Sequence, residues 1–223
     1  MTDRAYKRAK EILGMKFITP ESLKRCTGNP IFRYTKEQLF YLRDTLPDEQ
    51  SIWWAFHNHA VVYPGPAKET SVLDLHTSDP YRLMEPLNPW FVSSDEEFVP
   101  NETALPLQWY MMRVTAHPRL VEHSIRVQME IYEESDISKT EEWANAGEIA
   151  YYLFARSLVI GHDVGRLIVS SSLTSESESV TLHDAHYYDG KSAEGFFIDI
   201  SKRAFDWAEK VHSYVHLGLR YKF

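Results

Sequence analysis

Residues 141–155 (EEWANAGEIAYYLFA) run directly into residues 156–173 (RSLVIGHDVGRLIVSSSL), so that a helical pattern is followed at once by a strand-like one. The first piece has helical spacing, with Ile149, Tyr152 and Leu153 on one apolar face. Residues 166–173 are rich in Ile, Val and Ser, which is typical of a strand. We therefore expect a helix over residues 141–158, packed on a sheet. The side chains expected to be largely buried there are Trp143, Leu153, Val159, Ile168 and Phe197.

The first 60 residues predict short helices. Thr19 precedes Pro20, and a capping residue followed by proline is typical of a helix start. Thr35 begins another helix, and Pro47 precedes a third. The inward side chains expected for these last two helices are Leu39, Phe40, Leu42 and Leu46, followed by Ile52, Trp53 and Phe56.

Further strands are predicted at residues 60–63 (AVVY), 108–115 (QWYMMRVT), 179–188 and 196–200. Leu217, Leu219 and Tyr221 alternate with more polar or smaller residues, the period of a half-buried strand. Residues 204–215 fit a helix and a loop equally well.

Seven prolines in the middle of the chain forbid long helices there. The predicted fold class is accordingly α+β, with a small helical N-terminal part and a mixed C-terminal domain that holds a β-sheet and a packed helix. The predicted divisions are residues 1–63 for the helical part, 64–106 for a proline-rich arm and 107–223 for the mixed domain.

Composition excludes several classes of protein. A net charge of −8 disfavours a non-specific nucleic-acid binder, which needs a basic surface. Cys26 is the only cysteine, so neither an internal disulfide nor a cysteine-based zinc cluster can form. No run of 18 apolar residues exists, and the start of the chain does not resemble a signal peptide. These features predict a soluble, cytoplasmic protein.

One motif points to catalysis. His162 and Asp163, with His123 upstream, resemble the metal-binding residues of the HD-type phosphohydrolases. Such residues can hold divalent ions that activate water for attack on a phosphate ester. That family, however, places the His-Asp pair on helices, whereas the flanking residues here favour strands. The sequence therefore predicts no catalytic residues, no bound metal and no cofactor, with the phosphohydrolase as the alternative.

Several short segments, in the order in which they occur along the chain, resemble an uncharacterised family of bacterial and metagenomic proteins. They are ITPESL at 18–23, YTKEQLFYLRDTLP at 34–47, HAVVYPGP at 59–66, SVLDL at 71–75, WYMMRV at 109–114 and GLRYKF at 218–223. The tail, residues 195–223, is distantly similar to C-type-lectin-like modules and to the variable proteins of diversity-generating retroelements. That similarity implies a binding loop. Its candidate binding residues are Lys202, Arg203, Asp206, Trp207 and Lys210.

The resulting functional prediction is a non-catalytic module that binds a protein or a small-molecule ligand. Neither nucleic acid nor a membrane is favoured as a partner, and the sequence allows an oligomer. A structural or accessory protein of a phage or mobile element is a further alternative, beside the metal-dependent phosphohydrolase.

Overall fold

The computed structural model describes residues 2–26, 29–71, 74–75, 105–161, 166–173, 179–188, 191–199 and 215–222. Helices and antiparallel strands occur together, so the predicted α+β class is confirmed.

Four helices precede the first strand. Their bounds are Thr2–Leu13 for α1, Pro20–Cys26 for α2, Lys36–Asp44 for α3 and Glu49–His57 for α4, with short 3-10 turns at Gly14–Lys16 and Pro30–Phe32. The predicted caps are confirmed. The Thr19 hydroxyl accepts from the Ser22 amide at 3.1 Å, and Thr35 forms a reciprocal capping box with Gln38. Such caps satisfy amides that the first helical turn leaves without partners.

The first sheet has the order β1-β2-β8-β3 and is antiparallel throughout. Its strands are β1 (Ala60–Pro64), β2 (Trp109–Arg113), β3 (Glu141–Trp143) and β8 (Leu219–Tyr221). The central strand β8 comes from the far end of the described chain. The sheet therefore joins the helical N-terminal part to the C-terminal strands.

Both faces of β1 and β2 are covered, and alternate residues enter different cores. Val61, Tyr63, Tyr110 and Met112 belong to a core that also contains most of a central helix. Ala60, Val62, Trp109 and Met111 pack instead against side chains of α1, α3 and α4. This two-sided burial explains why both strands read as nearly continuous apolar runs.

The central helix α7 spans Ala146–Val159. It begins after Asn145, whose side chain accepts from the Glu148 amide at 2.8 Å in a second capping box. The prediction of helix from residue 141 is therefore wrong, because residues 141–143 form β3 and pair with β8. From Ala146 to Arg156 every side chain is buried. A helix apolar on all sides needs cover on all sides, and α2, the first sheet and a second sheet provide it.

The second sheet has the order β6-β5-β4-β7, with only the β4–β7 pair parallel. Its strands are β4 (Arg166–Leu173), β5 (Ser179–Tyr188), β6 (Lys191–Asp199) and β7 (Val215–Leu217). The strand predictions at 166–173 and 179–188 are confirmed. The one predicted at 196–200 is part of the longer β6, and most of residues 204–215 lie outside the described part of the chain.

Gly218 is the point at which the chain passes from the second sheet to the first. The single predicted terminal strand is thus two strands, although Leu217 and Leu219 are buried as expected. A Cβ atom at Gly218 would lie 2.6 Å from Ile149 Cδ1 and 2.9 Å from Ile168 Cγ2, closer than real carbon contacts. Glycine is needed here because the backbone lies directly against α7 and β4.

Two further helices, α5 (Ile125–Glu134) and α6 (Ile137–Thr140), cover β7 and β8 through a third apolar cluster. Of the side chains expected to be buried, Leu153 and Ile168 are, whereas Trp143 and Val159 are only half-buried. The side chain of Phe197 lies outside the described part of the structure.

The largest core contains side chains from both ends of the chain. Ile18 and Leu23 from the helical part pack in the same cluster as Ile149 and Leu153 of α7. The helical part and α7 therefore share one core. The predicted division into residues 1–63, 64–106 and 107–223 stays a prediction.

Candidate functional site

The structure leaves most of the predicted site residues outside its described ranges. These are Lys202, Arg203, Asp206, Trp207, Lys210, His162 and Asp163. His123 is described and exposed, in the turn before α5. Its carbonyl oxygen accepts from Gln128 Nε2 at 2.9 Å, which gives the residue a structural contact.

The helix α4 exposes aromatic side chains that the sequence predicted to be buried. Trp53 is 36% exposed and Phe56 is 45% exposed, whereas Ile52 and Ala55 form the buried face. The same correction applies on α3, where Phe40 is 64% exposed and Leu42 is buried. In both helices the apolar stripe is wider than the core it faces, and an aromatic ring lies on the solvent side.

The exposed rings of α4 contact one another. The ring of Trp53 meets Phe56 edge-on at 5.6 Å and stacks on the His57 imidazole at 5.8 Å. Phe56 and His57 are 5.4 Å apart, again edge to face. These distances between ring centroids are those of favourable aromatic pairs. Three mutually supporting rings form a preformed apolar surface.

The helix α1 runs alongside α4 in the same direction. Arg8 Cζ lies 5.9 Å over the Trp53 ring, and Arg8 Nε is 3.4 Å from Glu49 Oε1. Further along, Lys16 Nζ is 3.2 Å from His59 Nδ1, just after α4 ends. Beside Lys16, Met15 is 70% exposed. We call the face made by Arg8, Lys16, Trp53, Phe56 and His57 the α1–α4 surface.

The α1–α4 surface is not among the sites predicted from the sequence. A signal was present, because Arg4, Lys7 and Arg8 are spaced three and four residues apart and therefore share one side of α1. The spacing of Trp53 and Phe56 on α4 gives no comparable signal, because hydrophobic periodicity does not distinguish apolar residues that face the core from apolar residues that face solvent.

A buried ion pair joins two strands of the first sheet. Arg113 on β2 donates from Nε and Nη2 to the two carboxylate oxygens of Glu141 on β3, both at 2.6 Å. The side chains are 4% and 2% exposed. Arg113 also donates to the carbonyl and side-chain oxygens of Asn58. The guanidinium thus fixes the turn after α4 to the sheet.

His117 lies at the edge of this ion pair. Its Nε2 is 3.9 Å from Glu141 Oε1, beyond hydrogen-bond distance. Burial, helped by the nearby Arg113 charge, lowers the pKa of His117 below its usual value. The neutral imidazole is therefore favoured, and Arg113 supplies the counterion for Glu141. This arrangement ties strands together and brings no nucleophile or acid–base pair into contact.

A second cluster of charged side chains, formed by Glu142, Glu148 and Arg220, lies at the start of α7. Arg220 Nε is 2.8 Å from Glu148 Oε1, in ion-pair contact without the alignment of a hydrogen bond, and Arg220 Nη2 is 2.7 Å from Glu142 Oε2. Burial raises the pKa of Glu148, and the Arg220 charge opposes that rise. Nearby, the buried Tyr63 hydroxyl has no hydrogen-bond partner among the described residues. Burial, with the Glu148 charge adding to it, raises the pKa of Tyr63 well above its usual range.

Tyr63→Phe should leave the free energy of unfolding unchanged or raise it by up to about 1 kcal/mol, because a buried hydroxyl without a partner costs free energy. The matched control is Tyr151→Phe. The Tyr151 hydroxyl donates to the Pro64 carbonyl at 2.9 Å, so its loss should cost about 1 kcal/mol. Urea denaturation measures both variants. A larger loss in Tyr63→Phe than in Tyr151→Phe would show that the Tyr63 hydroxyl has a partner.

A shallow cleft of about 330 Å³ lies between Gln38, near the start of α3, and residues 66–69 and 105–107. Its lining is mostly apolar, with Gln38, Lys68 and Glu69 as the polar members. Gln38 Nε2 already donates to the Ala67 carbonyl at 2.5 Å. Among the described residues, no buried partner holds Lys68 or Glu69 at the cleft, so the described lining lacks the fixed polar groups typical of a small-molecule site.

Within the described ranges, no three His, Cys, Asp or Glu side chains are grouped so as to hold a metal ion. The helices in those ranges are each too short or too polar to cross a lipid bilayer. Comparisons with protein-family models, with curated proteins and with solved structures found no match.

Proposed function

We propose that this chain is a non-catalytic binding module, and that a polypeptide partner docks on the α1–α4 surface. The observation that carries the proposal is the exposure of Trp53 and Phe56 on a helix whose other face is firmly packed. Contiguous exposed apolar side chains rimmed by charge are typical of interaction sites. Trp and Arg are also the residues most often found to dominate binding energy.

The shape of this surface favours a polypeptide over a small molecule. Small-molecule sites enclose most of their ligand in a concave pocket, whereas these rings lie on the outside of a helix. The rings also hold one another in place, so little side-chain freedom is lost when a partner covers them. A binding role for residues 202–210, an association with a phage or mobile element, and a cytoplasmic location remain predictions.

A photo-crosslinking experiment tests the proposal. Para-benzoylphenylalanine replaces Phe56 in one variant and the more exposed Phe40 in the control, in cells of the natural source. We expect a discrete crosslinked protein from position 56 and none from position 40. Equal labelling at the two positions would contradict a specific surface. Hydrolysis of bis(p-nitrophenyl) phosphate with Mn²⁺, lost in His123→Ala, would favour the phosphohydrolase instead.

A further inference from the structure

The cations along α1 have few internal partners. Arg4, Lys7 and Lys10 are exposed and form no ion pair within 4 Å with any described residue, and Lys16 Nζ lies 3.2 Å from His59 Nδ1 without an ion pair in the described part of the chain. Arg8 is the exception, because it is shared between Glu11 and Glu49. Since Arg4 precedes Arg8 by one helical turn, it continues the row of cations on that side of α1, one turn before the level of Trp53.

The charge of the whole chain is unevenly distributed. Residues 1–60 contain ten Lys and Arg against seven Asp and Glu, a net charge of +3. Residues 61–223 contain 14 against 25, a net charge of −11. The α1–α4 surface therefore lies in the basic part of an acidic protein. Its attraction for anions is local and does not come from the molecule as a whole.

We infer that the partner at the α1–α4 surface is an acidic polypeptide segment that also carries large apolar side chains. This inference rests on the proposed function and names the partner's chemistry. Acidic side chains would pair with Arg4, Lys7 and Lys16, while apolar ones would cover Trp53 and Phe56. The charge pairs would guide the encounter, and the buried rings would supply most of the affinity.

Other anionic partners fit this face less well. Nucleic acid and anionic lipid present dense, continuous arrays of phosphate, which would set negative charge against the carboxylates of this face as well as against its cations. The exposed carboxylates of Glu11 and Glu49 also lie within the face, next to Arg8. A second copy docked by the same surface would oppose two basic regions. A polypeptide, by contrast, can carry carboxylates at the positions that face cations and uncharged side chains at the others.

The test is a selection of random dodecapeptides, displayed on phage, against the immobilised full chain at low salt. The recovered peptides are synthesised with a fluorescent label, and their Kd values are measured by fluorescence anisotropy. We expect net-negative peptides with two or more large apolar residues. Trp53→Ala and Phe56→Ala should each weaken binding by about thirtyfold, as interface hot spots do. Arg4→Glu should weaken it about tenfold.

Matched controls separate this surface from general stickiness. Phe40→Ala removes a ring on α3 that is more exposed than either Trp53 or Phe56, and Lys36→Glu reverses an exposed charge there. Both variants should stay within twofold of the parent. Thermal melting should show every variant folded, since the altered side chains lie outside the cores.

Each other outcome overturns a defined part of the inference. Neutral or basic peptides that still depend on Trp53 would refute the acidic partner and leave the proposed function standing. Recovery of no Trp53-dependent peptide would contradict the proposed function itself. Trp53-dependent binding of a labelled single-stranded DNA or of phosphatidylserine vesicles would show a different class of partner. An oligomer that dissociates in Trp53→Ala would identify a second copy of this chain.

Discussion

Removal of residues 219–223 should abolish cooperative unfolding, because β8 joins β2 to β3 in the first sheet. The buried Leu219 side chain contributes on the order of 2–5 kcal/mol. Loss of Arg220 also leaves the Glu148 carboxylate buried without its counterion, at a cost of roughly 3–5 kcal/mol. Together these losses equal much of a typical stability of about 5–15 kcal/mol.

Urea denaturation followed by far-UV and near-UV circular dichroism measures this loss. The control removes only residues 222 and 223 and leaves β8 intact. Lys222 contributes a backbone hydrogen bond to the Thr140 carbonyl and one from Nζ to the Ser138 carbonyl, both near the surface. We expect this shorter deletion to keep a cooperative transition. A cooperative transition at the parent's midpoint in the longer deletion would refute the role assigned to β8.

Glu141→Leu should lower the free energy of unfolding by about 3–5 kcal/mol. The change leaves the Arg113 guanidinium buried beside an apolar side chain, and an unpaired buried charge is far more costly than the pair is beneficial. Asn58 still accepts two hydrogen bonds from Arg113, so the variant should fold.

A double variant distinguishes lost pairing from lost packing. Arg113→Met combined with Glu141→Leu removes both charges, so it should be more stable than Glu141→Leu alone. Asp3→Ala, which breaks an exposed ion pair of 3.9 Å with Arg43, should cause no measurable change. Denaturant midpoints give the comparison. A double variant less stable than the single one would show that the loss in Glu141→Leu does not come from an unpaired Arg113 charge.

The sequence predicted most element types because local signals were strong. Thr19 and Thr35 mark helix starts, and the apolar runs of β1 and β2 reflect burial on both faces. The start of α7 was predicted five residues early, although Asn145 and Glu148 have the spacing of a capping box. Residues 141–143 are helix-compatible by composition, and only their pairing with the distant β8 makes them a strand.

The candidate surface was not predictable in the same way. Trp53 and Phe56 were assigned to the core because aromatic rings three residues apart match a buried helix face. Ile52 and Ala55 have the same spacing, one position earlier, and they are the pair that is buried. Which of two apolar faces turns inward depends on the neighbouring helices and strands, and that information is not local.

The strands on either side of Gly218, β7 and β8, belong to different sheets and come late in the chain. Neither sheet can therefore be completed until these residues have been synthesised. Strands β2 and β3 leave the ribosome well before β8, the strand that lies between them. Until then the buried Arg113 and Glu141 cannot be held in register by β8, and α7 lacks part of its cover. Contacts between such distant segments are slow to form and leave apolar surface exposed meanwhile. The nascent chain should therefore depend on chaperones until both of its sheets can close.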